Sequence, residues 1–245
     1  CVRFSTRGDI TMLKIEHLTK KYGDKTAVKD ITIHIKSGEI YGFIGHNGAG
    51  KTTTLKSVVG ILDFEEGEIL IDGESIKEKP LECKRKMAYI PDNPDLYEFM
   101  SGIKYLNFIA DVYGVSESDR QERIRKYADA FEITSDLAQP IASYSHGMKQ
   151  KIALISALAH DPKVLIMDEP FVGLDPRASV ELKNIMKEIC SRGGAIFFST
   201  HVLEVAEKLC DKVAIIKSGK LIKSGTMEEV KGDTSLEDVF LEMED

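Results

Sequence analysis

Apolar residues fall at every second position near the start of the chain: Leu13 and Ile15, then Ile31, Ile33 and Ile35, with Gly23-Asp24 and Ser37-Gly38 as turns. Strand side chains alternate between faces, so this spacing predicts half-buried hairpin strands. The run Ile40 to Ile44 is a further strand. Beyond it Leu55, Val58, Val59 and Leu62 recur at i, i+3, i+4 and i+7, one face of a helix. Ile69-Leu70-Ile71, between Glu66-Gly67 and Asp72-Gly73, is a short strand.

The period then changes. Ser101 is placed to cap a helix carrying Ile103, Leu106, Ala110 and Tyr113 and closed by Gly114. Ser118 to Gln121 reads as a capping box ahead of Ile124, Tyr127, Ala128 and Phe131. A third helix runs from Ser145 to His160 and stops at Asp161-Pro162. Val164 to Met167 and Ala195 to Phe198 are unbroken apolar runs, as buried parallel strands require. A helix follows each. Asp175 as N-cap and Pro176 at N1 precede Leu182, Ile185, Met186 and Ile189. Val202, Val205, Ala206 and Leu209 repeat the stripe, and a hairpin around Ser218-Gly219 spans Val213 to Ser224. The expected fold is α/β: a mixed, mainly parallel sheet flanked by helices, with an N-terminal antiparallel β region and an inserted helical subdomain. Expected bounds are one domain over 12–245, its core at 12–92 and 161–225, the helical subdomain at 93–160 and a short acidic tail at 226–245. Residues 1–11 precede Met12, lack the apolar centre of a signal peptide and are expected to be a disordered leader.

Between the strand at Ile44 and the helix at Leu55 lies Gly45-His46-Asn47-Gly48-Ala49-Gly50-Lys51-Thr52, followed by Thr53. The pattern G-x-x-x-x-G-K-T in a strand–loop–helix setting is a phosphate-binding loop, and it predicts a P-loop NTPase core. Glycines let main-chain N–H groups wrap phosphates, and the helix N-terminus adds partial positive charge. Lys51 is the cation for the β- and γ-phosphates, and the Thr52 hydroxyl is a ligand for Mg²⁺. A dinucleotide loop would space its glycines as G-x-G-x-x-G and would leave Lys51 unexplained. The expected ligand is a nucleoside triphosphate.

Charge changes the picture in one respect. The net charge of −7 with no basic block argues against nucleic acid as the main partner. The four cysteines form no C-x-x-C pair and the six histidines have no ligand spacing, so reduced thiols are expected and a zinc site is not.

Asp168 and Glu169 end the strand at Val164 to Met167, the edge where open α/β sheets hold ligands. Asp168 is the expected Mg²⁺ partner and Glu169 the group that polarises the attacking water. A lone histidine is ordinarily structural. His201, at the end of a second buried strand, becomes a candidate sensor of the γ-phosphate.

Together these residues resemble the ATP-binding subunits of ABC transporters over residues 13 to about 225. Tyr144-Ser145-His146-Gly147-Met148 stands at the family's Leu-Ser-Gly-Gly-Gln signature; Ser145 and Gly147 match, and the other three depart. Gly173-Leu174-Asp175 is similar to the D-loop, and Tyr22 stands where the family stacks a ring on adenine. Asp92 occupies the place of the Q-loop glutamine, shorter by a methylene and charged. The resemblance implies ATP and Mg²⁺ as cofactors, with Thr52, Asp168 and Asp92 toward the metal and Glu169, His201 and Lys51 toward catalysis. It implies that Ser145, His146, Gly147 and Met148 act on the opposite subunit's ATP in a homodimer, or a heterodimer with a related ATPase subunit. It further implies membrane permease subunits on separate chains and a peripheral place on the cytoplasmic face of the cell membrane. The tail from Ser235 to Glu242 is similar to exporter-type subunits. The rival reading is a soluble ATPase of the same type acting on DNA or ribosomes, which the acidic balance disfavours. A GTPase switch lacks its N-K-x-D motif here and leaves Tyr144–Met148 unexplained.

Overall fold

The computed structural model describes residues 10–242. Two sheets share the work. The strands β1 (Thr11–Tyr22), β2 (Lys25–Lys36), β3 (Ile40–Ile44), β4 (Glu66–Ile71) and β5 (Glu74–Ser75) come first in the chain, with β6 (Met87–Ile90) after them. β1 pairs antiparallel with both β2 and β4, and β4 with β5, giving a four-stranded sheet. β7 (Val164–Asp168), β8 (Ala195–Thr200), β9 (Lys212–Lys217) and β10 (Lys220–Thr226) complete a six-stranded sheet in the order β10-β9-β3-β8-β7-β6. Every neighbouring pair in it is parallel except β9 with β10. Of the expected leader, Ile10 and Thr11 are described and belong to the fold: Thr11 pairs with Lys36, and the Ile10 carbonyl accepts from the Ser37 amide at 2.8 Å. The remainder, residues 1–9, lies outside the described residues.

Alternate residues of the parallel strands feed two cores. Ile40, Ile44, Leu165, Met167, Ile196 and Phe198 pack on one face with the helices of the middle segment. Tyr41, Phe43, Val164, Ile166 and Phe197 pack on the other with Leu13, Ile15, Ile33 and Ile69 of the antiparallel sheet. Burial on both faces is why these strands read as unbroken apolar runs and not as alternation.

The helices are α1 (Lys51–Val58), α2 (Pro80–Lys86), α3 (Gly102–Val112), α4 (Glu117–Ala130), α5 (His146–Leu158), α6 (Pro176–Ser191), α7 (Leu203–Leu209), α8 (Met227–Lys231) and α9 (Leu236–Glu242). Three expectations are corrected, and the tail gains detail. The stripe assigned to α1 outruns it: Gly60 turns at φ 68°, so Leu62 lies beyond the helix. α4 begins before the expected capping box, because Ser116 Oγ accepts from the Asp119 amide at 3.2 Å and Ser118 falls inside the first turn. Ser101 flanks α3 but makes no side-chain cap. The acidic tail folds into α8 and α9, opened by a capping box between Thr226 and Glu229 and anchored by buried Val230, Leu236 and Val239.

The register sets the site. Ile44 lies beside Thr200, and Asp168 beside Ser199, so β3, β7 and β8 end together at one edge of the sheet. That carboxyl-end edge is where open α/β sheets form ligand crevices.

Candidate functional site

The loop leaving β3 is gripped at both ends by main chain. A Cβ on Gly45 would lie 2.5 Å from the Ile216 carbonyl oxygen, and one on Gly50 would lie 2.9 Å from that of Ala27. Gly50 also takes φ 111°, which side chains with a Cβ rarely adopt, and it opens α1 as its N-cap. Lys51 is buried at 5 % exposure and folds back over the loop: Nζ donates to the Gly45 carbonyl at 2.6 Å and the His46 carbonyl at 3.3 Å.

One residue on, the Thr52 hydroxyl donates to Asp168 Oδ2 at 2.6 Å. Asp168 is 1 % exposed, and its other oxygen accepts from the Ser199 hydroxyl. Ser199 was not singled out by its sequence; the readable signal was a hydroxyl pair closing the apolar strand β8. A hydroxyl and a carboxylate in contact are hard oxygen donors of the kind Mg²⁺ takes. Among the described residues no cluster of three or more acidic, His or Cys side chains forms a self-sufficient metal cage. That donor set fits an ion whose remaining ligands come from phosphates and water.

Glu169 adopts φ 47°, a left-handed conformation uncommon outside glycine. Its amide donates to Ser199 Oγ at 3.0 Å and to the Ser199 carbonyl at 3.2 Å, which holds the turn. The side chain meets two groups the sequence associated with it. Oε2 lies 3.0 Å from His201 Nδ1 and accepts from the His201 amide at 3.3 Å. Oε1 lies 3.4 Å from Lys51 Nζ, an ion-pair distance without hydrogen-bond geometry, and this buried oxygen has no hydrogen-bond donor among the described residues.

Lys51, Thr52, Asp168 and Glu169 wall a groove with Tyr22, Lys25, Thr26, Ala27, Asp92, Ser218 and Gly219, while Ser199 and His201 stand behind it on Asp168 and Glu169. Tyr22 is 49 % exposed, with Lys20 Nζ 5.4 Å from its ring centre. Asp92 sits on the rim, with Oδ1 accepting from the Asn93 amide at 2.8 Å. Lys25, Thr26, Ala27 and Gly219 were missed by sequence reasoning. They reach the groove through contacts distant in the chain: Gly219 N donates to the Ala49 carbonyl at 2.8 Å, and a Cβ on Gly219 would lie 2.5 Å from the Ala27 carbonyl oxygen.

Ser145, His146, Gly147 and Met148 are not brought to this groove. They open α5, where Ser145 Oγ accepts from the Met148 amide at 3.3 Å. His146 turns instead onto Gly173: a Cβ there would lie 2.5 Å from His146 Cδ2, and one on Gly147 would lie 2.6 Å from the Gly173 carbonyl oxygen. Asp175 continues the joint, capping α6 at the Ala178 amide (2.8 Å) and pairing with Lys151 at 2.7 Å. The Lys151 ammonium, with the Ala178 amide, holds the Asp175 carboxyl below the usual carboxylate range.

Fold and groove define an α/β nucleotide-binding protein with a phosphate loop. Residues 28–172 match the ABC transporter family, and the chain belongs to that family as an ATP-binding subunit, an ATPase. It is 39 % identical over 214 residues to the uncharacterized ABC transporter ATP-binding protein YhcH of Bacillus subtilis, covering 86 % of this chain and 69 % of that one. With the ABC-type transporter ATP-binding protein EcsA of the same organism it shares 33 % identity over 96 % of this chain and 97 % of the relative. A solved ATP-binding subunit of an ABC transporter superposes with a TM-score of 0.92 at 34 % identity, covering 96 % of this chain and all of the other. Among the described residues no helix is long and apolar enough to cross a membrane.

Proposed function

We propose that this chain hydrolyses ATP in the groove between the phosphate loop and β7, with Glu169 orienting the water and His201 and Lys51 on either side of it. The observation that carries the reading is Glu169 Oε1, a buried carboxylate oxygen with no hydrogen-bond donor at a groove lined by Lys51 and Thr52. A carboxylate oxygen at the groove wall, 3.4 Å from Lys51 Nζ, is suited to accept a hydrogen bond from a water. His201 on Oε2 fixes the direction of the carboxylate. The main-chain amides of residues 45–53 surround the phosphates, Lys51 reaches the β- and γ-phosphates, and the exposed Tyr22 ring stacks on adenine. Thr52 and Asp168 would hold Mg²⁺, with Asp92 on the same rim, and the ion would supply positive charge to offset that of the phosphates.

The reading extends to two partners. The signature residues lie outside their own groove, so the ATP held by one chain is closed by Ser145 and Gly147 of a second copy, or of a related ATPase subunit. The free amides of the α5 N-terminus suit a phosphate. The second partner is a membrane permease on separate chains, which keeps this subunit at the membrane surface. Tyr97, Phe99 and Phe108 support it: their rings cluster beyond Asp92, and Phe99 is 84 % exposed. An exposed aromatic group of this kind marks an interaction surface.

Steady-state ATPase assays and ATP titrations test the assignment. Glu169→Gln keeps the shape of the side chain and is expected to bind ATP as the parent does while hydrolysing it ~10²–10³-fold more slowly. Turnover of Glu169→Gln at the parent rate would remove Glu169 from the mechanism.

A further inference from the structure

The tip of the phosphate loop has a neighbour that phosphate binding does not call for. Both ends of the loop are fixed, Gly45 against Ile216 and Gly50 against Ala27. Between them His46, Asn47 and Gly48 are exposed, and a Cβ on Gly48 would meet nothing within 4 Å. Onto this tip α9 brings Phe240. Its ring centre lies 4.6 Å from that of His46, with the planes tilted by 57°. Tilted ring pairs at such separations attract beyond the apolar area they cover.

Phe240 is carried by an anchored helix. Leu236, one turn before it, and its neighbour Val239 are buried in the same core as Val230, Ala206 and Leu209. Glu207 on α7 ties the segment down twice, pairing with Lys231 and accepting from the Leu236 amide at 3.4 Å. α7 begins directly after His201, so α9 spans from the helix behind His201 to the tip of the phosphate loop.

We infer that Phe240 is a positioning residue for ATP: its ring holds His46 so that the loop tip is already shaped for phosphates before nucleotide arrives. The inference rests on the reading of the groove as the ATP site. A tip ordered in advance does not need to be ordered on binding, and preorganisation of that kind appears as affinity. Loss of the ring leaves Lys51, Thr52, Asp168 and Glu169 in place, so its cost falls on capture of ATP and not on the chemical step.

The test is a double-mutant cycle on the full chain. ATP Kd by fluorescence titration, KM and kcat are measured for the parent, Phe240→Ala, Phe240→Tyr, His46→Ala and the Phe240→Ala/His46→Ala pair. Phe240→Ala is expected to raise Kd and KM about three- to tenfold, the range that one ring pair supplies, with kcat within about twofold. Phe240→Tyr restores both, and Phe240→Ala adds nothing once His46 is Ala. Phe240→Leu, which keeps α9 apolar and packed, shows the same rise without the ring and covers the case in which Phe240→Ala loosens the fold. An unchanged Kd in Phe240→Ala and Phe240→Leu, a fall in kcat at constant KM, or additive effects in the pair overturns the inference. Lys51→Ala separates the two levels. If it abolishes ATP binding while Phe240 variants bind normally, the site stands and Phe240 is only structural. If Lys51→Ala binds as the parent does, the site itself is misassigned.

Discussion

Asp92 is the residue whose chemistry departs furthest from its surroundings in role and position. It takes the place of a neutral amide in the family pattern, and in the fold it stands on the groove rim between β6 and the aromatic group at Tyr97 and Phe99. Its Oδ1 is engaged with the Asn93 amide, and it is exposed, whereas Lys51 and the loop amides form the floor. Asp92→Ala is therefore expected to leave ATP affinity within a few-fold while weakening the ATPase stimulation given by a reconstituted permease. Asp92→Gln should be tolerated better, since it keeps an oxygen acceptor. Abolished nucleotide binding in Asp92→Ala, with unchanged permease-stimulated turnover per bound ATP, would make Asp92 a ligand of the nucleotide. His146 resolves differently. Its ring lies against Gly173, where a Cβ would come within 2.5 Å of it.

At the scale of elements, the end of α5 holds a titratable group in an apolar setting. His160 stacks on Tyr113 at 3.8 Å and 11°, and Nε2, which must carry the proton, donates to the Met87 carbonyl at 3.1 Å. Burial depresses its pKa; the Met87 and Ser156 carbonyls and Asp161 oppose that, and Arg123 adds to it. A histidine with a depressed folded pKa binds fewer protons folded than unfolded, so its contribution is complete above about pH 6.5 and is lost as pH falls. The melting temperature is expected to drop as pH falls below about 6.5, beginning above the range where paired carboxylates titrate. His160→Phe, which keeps the ring stack, should flatten that slope; an unchanged slope would assign it elsewhere. The long periodic elements were legible in advance: β1 and β2 by alternation, β7 and β8 by unbroken apolar runs, α6 by Asp175-Pro176 and its stripe. α2 was not, because it buries Cys83 alone among charged neighbours, and neither was the two-residue β5. The site divides the same way. Gly45 to Thr53 and Asp168-Glu169 are contiguous and carry their spacing in the sequence. Ser199, Lys25 and Gly219 become neighbours of the loop only through sheet order and turn packing, which local pattern does not encode.

At the scale of the molecule, the chain presents a groove lined by the phosphate loop, and the N-terminus of α5, proposed to hold a second chain's phosphate, lies outside it. Ser145 to Met148 do not line the groove; His146 and Gly147 pack on Gly173, and Val172 N donates to the Glu169 carbonyl at 3.1 Å. The signature turn thus meets the same loop, 169–175, that begins at Glu169. Two chains in head-to-tail array would enclose two ATP molecules, and neither chain alone would complete a site. In the proposed pair little would hold the chains together without nucleotide, whereas ATP bound and not hydrolysed would bridge both interfaces. Light scattering of Glu169→Gln with and without Mg-ATP therefore tests the account most directly. The account predicts a mass near that of one 27.3 kDa chain without nucleotide and twice that mass with it, reverting when Ser145→Arg is added. A mass indifferent to ATP, together with full parent activity at dilutions where only single chains exist, would contradict it.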